Sequence, residues 1–151
     1  MNEVRRRNRT RMVWLTASSF FVLTMGAQLS NAQITNAVKA NIGHRFTVGN
    51  ATLPPGHYTF RMLQGSDMTA MTVTSADGNT SADFLVREAT APSTPKHAEL
   101  VFDRYGTHEF LAKIFEGNSK IGEAVVEPSR EELRLQKQGQ HPVEHTEEQQ
   151  Q

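Results

Sequence analysis

The 151 residues carry 16 Lys and Arg against 16 Asp and Glu and contain no cysteine. Without cysteine there is neither a disulfide framework nor thiol chemistry. Without a basic excess there is no stripe for a nucleic-acid backbone and nothing to hold an anionic membrane surface.

The first 32 residues read as an export signal. Arg5, Arg6, Arg7, Arg9 and Arg11 form a basic start, Met12 to Ala27 is uncharged and apolar-rich, and Ser30-Asn31-Ala32 offers small residues for cleavage before Gln33. The 16 uncharged residues are diluted by Thr16, Ser18, Ser19 and Thr24. They fall short of the roughly 20 that a bilayer-spanning helix needs. The expectation is cleavage between Ala32 and Gln33, a periplasmic or extracellular destination, and no membrane span afterwards. The signal takes five Arg and one Glu with it, which leaves 119 residues with 11 basic and 15 acidic side chains, net −4. That length can bury a core without covalent staples, and it suits one domain.

Beyond the signal the hydrophobic period is two. Val38, Ala40, Ile42, His44, Phe46 and Val48 alternate with polar or small residues and predict one half-buried strand, ended by Gly49-Asn50. Leu53-Pro54-Pro55-Gly56 predicts a type II turn, with Pro55 setting φ and Gly56 supplying the positive φ. A second strand follows, with Tyr58, Phe60 and Met62 on one face and His57, Thr59 and Arg61 on the other. Thr69 to Thr74 is a third strand, stopped by the hairpin dipeptide Asp77-Gly78. Ala82 to Arg87 is a fourth, and the Pro- and Thr-rich run from Ala89 to Lys96 reads as an exposed loop.

Residues 97–115, HAELVFDRYGTHEFLAKIF, predict a β-hairpin. A three-residue loop, Arg104-Tyr105-Gly106, places Leu100 and Phe102 on one face with Phe110, Ala112 and Ile114. The opposite face then takes Glu99, Asp103, Glu109 and Lys113 together with Val101, Leu111 and Phe115. A face so mixed is partly covered, which points to a sandwich or barrel. Ile121 to Val126 is the last strand. Ser129 and Glu132 fit a capping box that opens a short helix to about Lys137. Its Leu133 and Leu135 do not share a face, so it should dock weakly. Residues 138–151 have one apolar side chain, Val143, and read as a disordered polar tail.

Two stretches, IGHRFTVGNATLPPGHYTF and LVFDRYGTHEFLAKIF, resemble a family of small secreted bacterial proteins of unknown function. The family pattern runs Val-Pro-Phe-x-Phe-x-Val-Gly, Leu-Pro-Ala-Gly-x-Tyr, Leu-Val-Phe-x-Arg-Tyr-Gly and a Phe-Leu strand. The matching residues are Phe46, Val48, Gly49, Leu53, Pro54, Gly56 and Tyr58, then Leu100, Val101, Phe102, Arg104, Tyr105, Gly106, Phe110 and Leu111. Ser129 to Glu132 fits the family's segment after the last strand. Gly43 and His44 depart from it, standing where the family has Pro and Phe. These are turn and core residues, so the resemblance implies export and fold and no activity.

Candidate chemistry is sparse. His44 lies on the apolar face of its strand, as a ligand or as a hydrogen-bonded histidine filling the place of a Phe. His57, Met62, Met68 and Met71 offer imidazole and thioether donors of the kind that suit Cu(I), although Met at apolar strand positions ordinarily fills core gaps. Asp103, His108 and Glu109 flank the hairpin tip, but no Gly-x-Ser-x-Gly elbow accompanies them. Arg104 should pair with Glu109 or Asp103 in an exposed ion pair contributing on the order of 0–1 kcal/mol. His141 and His145 have helical chelate spacing, which Pro142 opposes. The expectation is a mainly-β domain over residues 33–137, a small antiparallel sandwich or barrel of about seven strands with a short C-terminal helix. It is expected to be non-enzymatic, with no catalytic residues and no cofactor, and to serve as a module for a protein or envelope partner. The alternative is a small-ligand or metal carrier using the domain interior, with His44 and the Met cluster as first suspects.

Overall fold

The computed structural model describes residues 37–63 and 69–149. The segment read above as an export signal and Met68 lie outside them. The chain runs β1 (Val38–Ile42), β2 (Phe46–Val48), β3 (Ala51–Leu53), β4 (Gly56–Met62), β5 (Ala70–Ser75), β6 (Ser81–Thr90), β7 (Ala98–Tyr105), β8 (His108–Phe115), β9 (Ile121–Val125), α1 (Arg130–Lys137) and β10 (Val143–Gln149). The fold is mainly β with one short C-terminal helix, a ten-stranded mixed sheet that does not close.

β1, β4, β5 and the first half of β6 form one antiparallel run. β6 is ten residues long and serves both parts of the sheet. Residues 81–85 pair with β5, and residues 86–90 pair with β9. The ladder continues from β9 to β8, β7 and β10, all antiparallel. The short β2–β3 hairpin joins the other edge of β8 through β2, in parallel, with Thr47 opposite Phe110. The sheet curls far enough that the two ends of this path meet through a side chain: the Asn41 amide donates to Gln149 Oε1 at 2.8 Å.

Three strands exceed the expected seven, each for an identifiable reason. The first predicted strand breaks at residues 43–45 into β1 and β2, which pair with different neighbours. Its alternation survives the break, since Val38, Ala40, Ile42, Phe46 and Val48 are all buried. Ala51–Leu53, too short to read from periodicity, pairs back on β2. The third is β10, where a disordered tail was expected. Low apolar content argued for disorder, but a strand can also be held by its ladder and by charged side chains. Here the whole of β10 pairs with β7, from Val143 opposite Arg104 to Gln149 opposite Ala98.

Two turns also differ from expectation. Gly56 has no positive φ; it is the first residue of β4, opposite Ile42. The Pro-Pro segment is secured instead by the Tyr58 hydroxyl, which donates to the Pro54 carbonyl at 2.6 Å. The β7–β8 turn has two residues between strands, with Tyr105 opposite His108 and Gly106 at φ +63°. A two-residue turn alone would put Leu100 and Ile114 on opposite faces. A β-bulge between Val101 and Phe102 corrects this, so that Leu100 faces Ile114 while Phe102 faces Leu111. Leu111 therefore joins the main core with Ile42, Phe60, Met71, Val73, Leu100, Phe102 and Ile114. Phe110 turns the other way and packs with Tyr105 and Leu135 of α1.

The helix begins as expected, the Glu132 amide donating to Ser129 Oγ at 3.0 Å. It docks more firmly than its sequence suggests. Leu135 is buried, Leu133 is exposed, and Gln136 Nε2 donates to the Tyr105 hydroxyl at 2.9 Å.

A side chain at Gly122 would run into the Ile114 carbonyl oxygen and the Phe115 ring, whereas one at Gly43 meets nothing within 4 Å. Gly122→Ala should therefore cost about 1–3 kcal/mol by overpacking, and Gly43→Ala should stay within about 0.5 kcal/mol of wild type. Urea midpoints of the two variants measure both. Only Gln149 of β10 is buried, so β10 amides should exchange with solvent deuterium through local opening, well before those of β8.

Candidate metal centre

The two-residue turn of the hairpin fixes which side chains face inward near its tip. Once Phe102 and Leu111 are opposite each other, the next inward pair is Arg104 and Glu109. On β10 the alternate residues His145 and Glu147 lie opposite Phe102 and Leu100. His44, in the break between β1 and β2, keeps the inward parity of its neighbours. Five polar side chains thus converge at one end of the apolar core, over the Phe102 ring. The His44 ring meets Phe102 edge-on at 5.0 Å between centroids, and the His145 ring lies 6.3 Å from Phe102.

His44, His145 and Glu147 each offer one donor atom, and the three atoms lie within 4.8 Å of one another. His44 Nδ1–H donates to the Arg45 carbonyl at 3.2 Å, which turns Nε2 towards Glu147 Oε1 at 2.9 Å. That carboxylate oxygen only accepts. A proton between the two atoms occupies the lone pairs that a cation would take. His145 Nε2 is 4.0 Å from the same oxygen. Zinc bound through imidazole and carboxylate at about 2.0–2.2 Å holds its donors roughly 3.3 Å apart. The Glu147–His145 side is therefore longer than zinc would set it, and the Glu147–His44 side somewhat shorter.

Behind His145 stands a second layer. Glu109 is 8% exposed, and its Oε1 accepts from Arg104 Nε and lies 3.4 Å from His145 Nδ1. Arg104 Nη2 also approaches His145 Nδ1, at 2.6 Å. The Arg104–Glu109 pair expected from the hairpin is present, but its carboxylate is buried where an exposed one was expected, because the two-residue turn sets Glu109 opposite Arg104 on the inward face. β10 is further tied by Lys113 Nζ to Glu144 at 2.9 Å.

The other sequence candidates do not join this set. Met62 and Met71 are paired neighbours on β4 and β5; Met71 is fully buried and Met62 packs against the core. His57 is exposed, on the opposite parity of β4 from Met62. Met68 lies outside the described residues. His141 is exposed beside Pro142 and precedes β10, so the helical spacing to His145 does not arise. His145 enters the cluster through strand parity with Glu147, a residue that the sequence reading did not single out. The visible signal was the polar alternation Val143, His145, Glu147, Gln149.

Asp103, His108 and Glu109 do not form a hydrolase constellation. Glu109 faces inward with Arg104, His108 is exposed and stacks on Phe110, and Asp103 lines a cavity of about 280 Å³ between α1 and the sheet. Lys113, Ser129, Glu132 and Gln136 also line that cavity. Burial raises the Asp103 carboxyl above its ordinary value, Lys113 partly offsetting it. Burial, then the charge of Asp103, raises Glu132.

No helix among the described residues is long and apolar enough to cross a membrane. No protein-family model matches the chain, and comparison with curated proteins and with solved structures finds no match.

The two raised carboxyls make a pH prediction. A carboxyl with a raised folded pKa contributes its stability below the unfolded value and loses it as pH rises through the folded one. The unfolded references are 3.8 for Asp103 and 4.5 for Glu132. The Asp103→Asn/Glu132→Gln variant should thus gain stability relative to wild type as pH rises above 4.5. Asp77 and Glu131, both lowered by hydrogen bonds, act in the opposite direction and at lower pH. Urea midpoints against pH test this, and a difference that stays flat across pH would contradict it.

Proposed function

We propose that this chain is an exported, non-enzymatic module that carries a divalent transition metal at His44, His145 and Glu147. The observation that carries this reading is the convergence of two imidazoles and a carboxylate, drawn from residues about a hundred apart, within 4.8 Å. Two nitrogens and one oxygen suit zinc and its first-row neighbours better than calcium or magnesium, which take oxygen ligands. Three protein donors leave a coordination position for water or for a donor from a partner.

Export is supported by the basic and apolar start of the chain and its small-residue cleavage site. The absence of cysteine fits the same reading, since imidazole and carboxylate ligands are not lost to oxidation outside the cytoplasm.

Residues 33–151, purified without metal, should bind one zinc ion per chain in titration calorimetry, with protons released as ligands deprotonate. His44→Ala and His145→Ala should each weaken binding by at least about tenfold, the loss of a directly bound ligand being no smaller than the loss of a supporting group. A wild-type domain that binds no zinc, cobalt or copper would end the proposal.

A further inference from the structure

Glu109 has no role in the three-donor set, yet the fold buries it behind that set. Its Oε1 serves Arg104 and His145, while its Oε2 is buried and has no hydrogen-bond partner among the described residues. An unsatisfied buried acceptor is costly, and carboxylates more so than neutral groups. Replacing Glu109 by an apolar residue would suit the Phe102 end of the core, so its presence calls for a use.

The contacts of His145 indicate one. A guanidinium can only donate, so Arg104 Nη2 at 2.6 Å from His145 Nδ1 assigns the ring's lone pair to Nδ1 and its proton to Nε2. Nε2 is the nitrogen that faces Glu147. In this state the ring presents a hydrogen, not a lone pair, to the place where a cation would sit. Binding through Nε2 requires the other tautomer, with the proton on Nδ1. The atom nearest to receive that N–H is Glu109 Oε1, at 3.4 Å.

We propose that Glu109 is the positioning residue of the metal centre. On loading, the proton leaves His145 Nε2 for solvent and one is taken up at Nδ1. Arg104 Nη2 withdraws from Nδ1 but stays tied to Glu109 through Nε. The Nδ1–H then donates to the Glu109 carboxylate, which fixes the ring and strengthens Nε2 as a donor. Arg104 makes the empty state stable by holding the wrong tautomer, and Glu109 makes the loaded state stable by holding the right one. This rests on the metal-binding reading above and adds to it a residue that touches no ion.

The experiment is nitrogen-15 NMR of the imidazoles of residues 33–151, labelled at histidine, with and without zinc, alongside zinc affinities of wild type, Glu109→Gln and Glu109→Asp. In wild type the His145 proton should move from Nε2 to Nδ1 on zinc addition. Glu109→Gln should bind zinc about 10–100-fold more weakly, and Glu109→Asp should recover part of that loss. If wild type binds no zinc, the metal reading itself fails. If wild type binds zinc while His145 keeps its proton on Nε2, or while Glu109→Gln binds as tightly as wild type, the positioning role is overturned and the metal reading stands. The wild-type spectra decide the tautomer even if a variant fails to fold.

Discussion

The structure depends on a break in its first strand that leaves the alternation of that strand intact. Ile42 ends β1 against β4, and Phe46 begins β2 against β8, with three residues between them. Ile42 and Phe46 are both nearly inaccessible, so the chain changes partners without turning its apolar face outward. Nothing lies within 4 Å of where a side chain at Gly43 would start, so the change places no steric demand on that position. His44 occupies the inward position in the gap. No ladder covers it there, so its ring rests on Phe102 and its Nε2 points across the seam to β10.

The same economy explains the last strand. An apolar strand at this edge would bury itself by the hydrophobic effect, but β10 offers one buried side chain, Gln149. It is held by its ladder to β7 and by ties to Asn41, His44, Arg104 and Lys113. Charged ties between half-buried groups are directional and exchangeable, unlike apolar packing. The apolar core below β10 meets the seam at Phe102, against which the His44 and His145 rings lie.

The bulge in the β7–β8 hairpin links these two regions. It reconciles a two-residue turn with an apolar pattern that would otherwise fall on opposite faces. The turn's own register sets Leu111 opposite Phe102 and Glu109 opposite Arg104, and the bulge then returns Ile114 to the same core. Turn and bulge together thus place Leu111 and Ile114 in the core and the Glu109 carboxylate behind His145. Bulges commonly re-aim side chains, and this one does so by parity alone.

Much of the fold was legible in the chain itself. Period-two alternation located most of the strands, because burying one face of a pleated strand constrains every second residue. Asp77-Gly78 stopped β5 as expected, with Gly78 at φ +73°, and the Ser129 cap opened the helix. His44 was marked by its inward parity. What only the tertiary structure decided is which distant residues share a seam. Parity is counted along one strand, and the length of a turn resets it, so Glu109 was assigned to the wrong face. A polar segment such as β10 has no apolar period to reveal it, because its strand state comes from the neighbouring edge of β7 and from charges contributed by other elements. The cluster of His44, His145 and Glu147 exists only because the curled sheet brings the two ends of the domain together, a long-range constraint that no local window of the sequence contains.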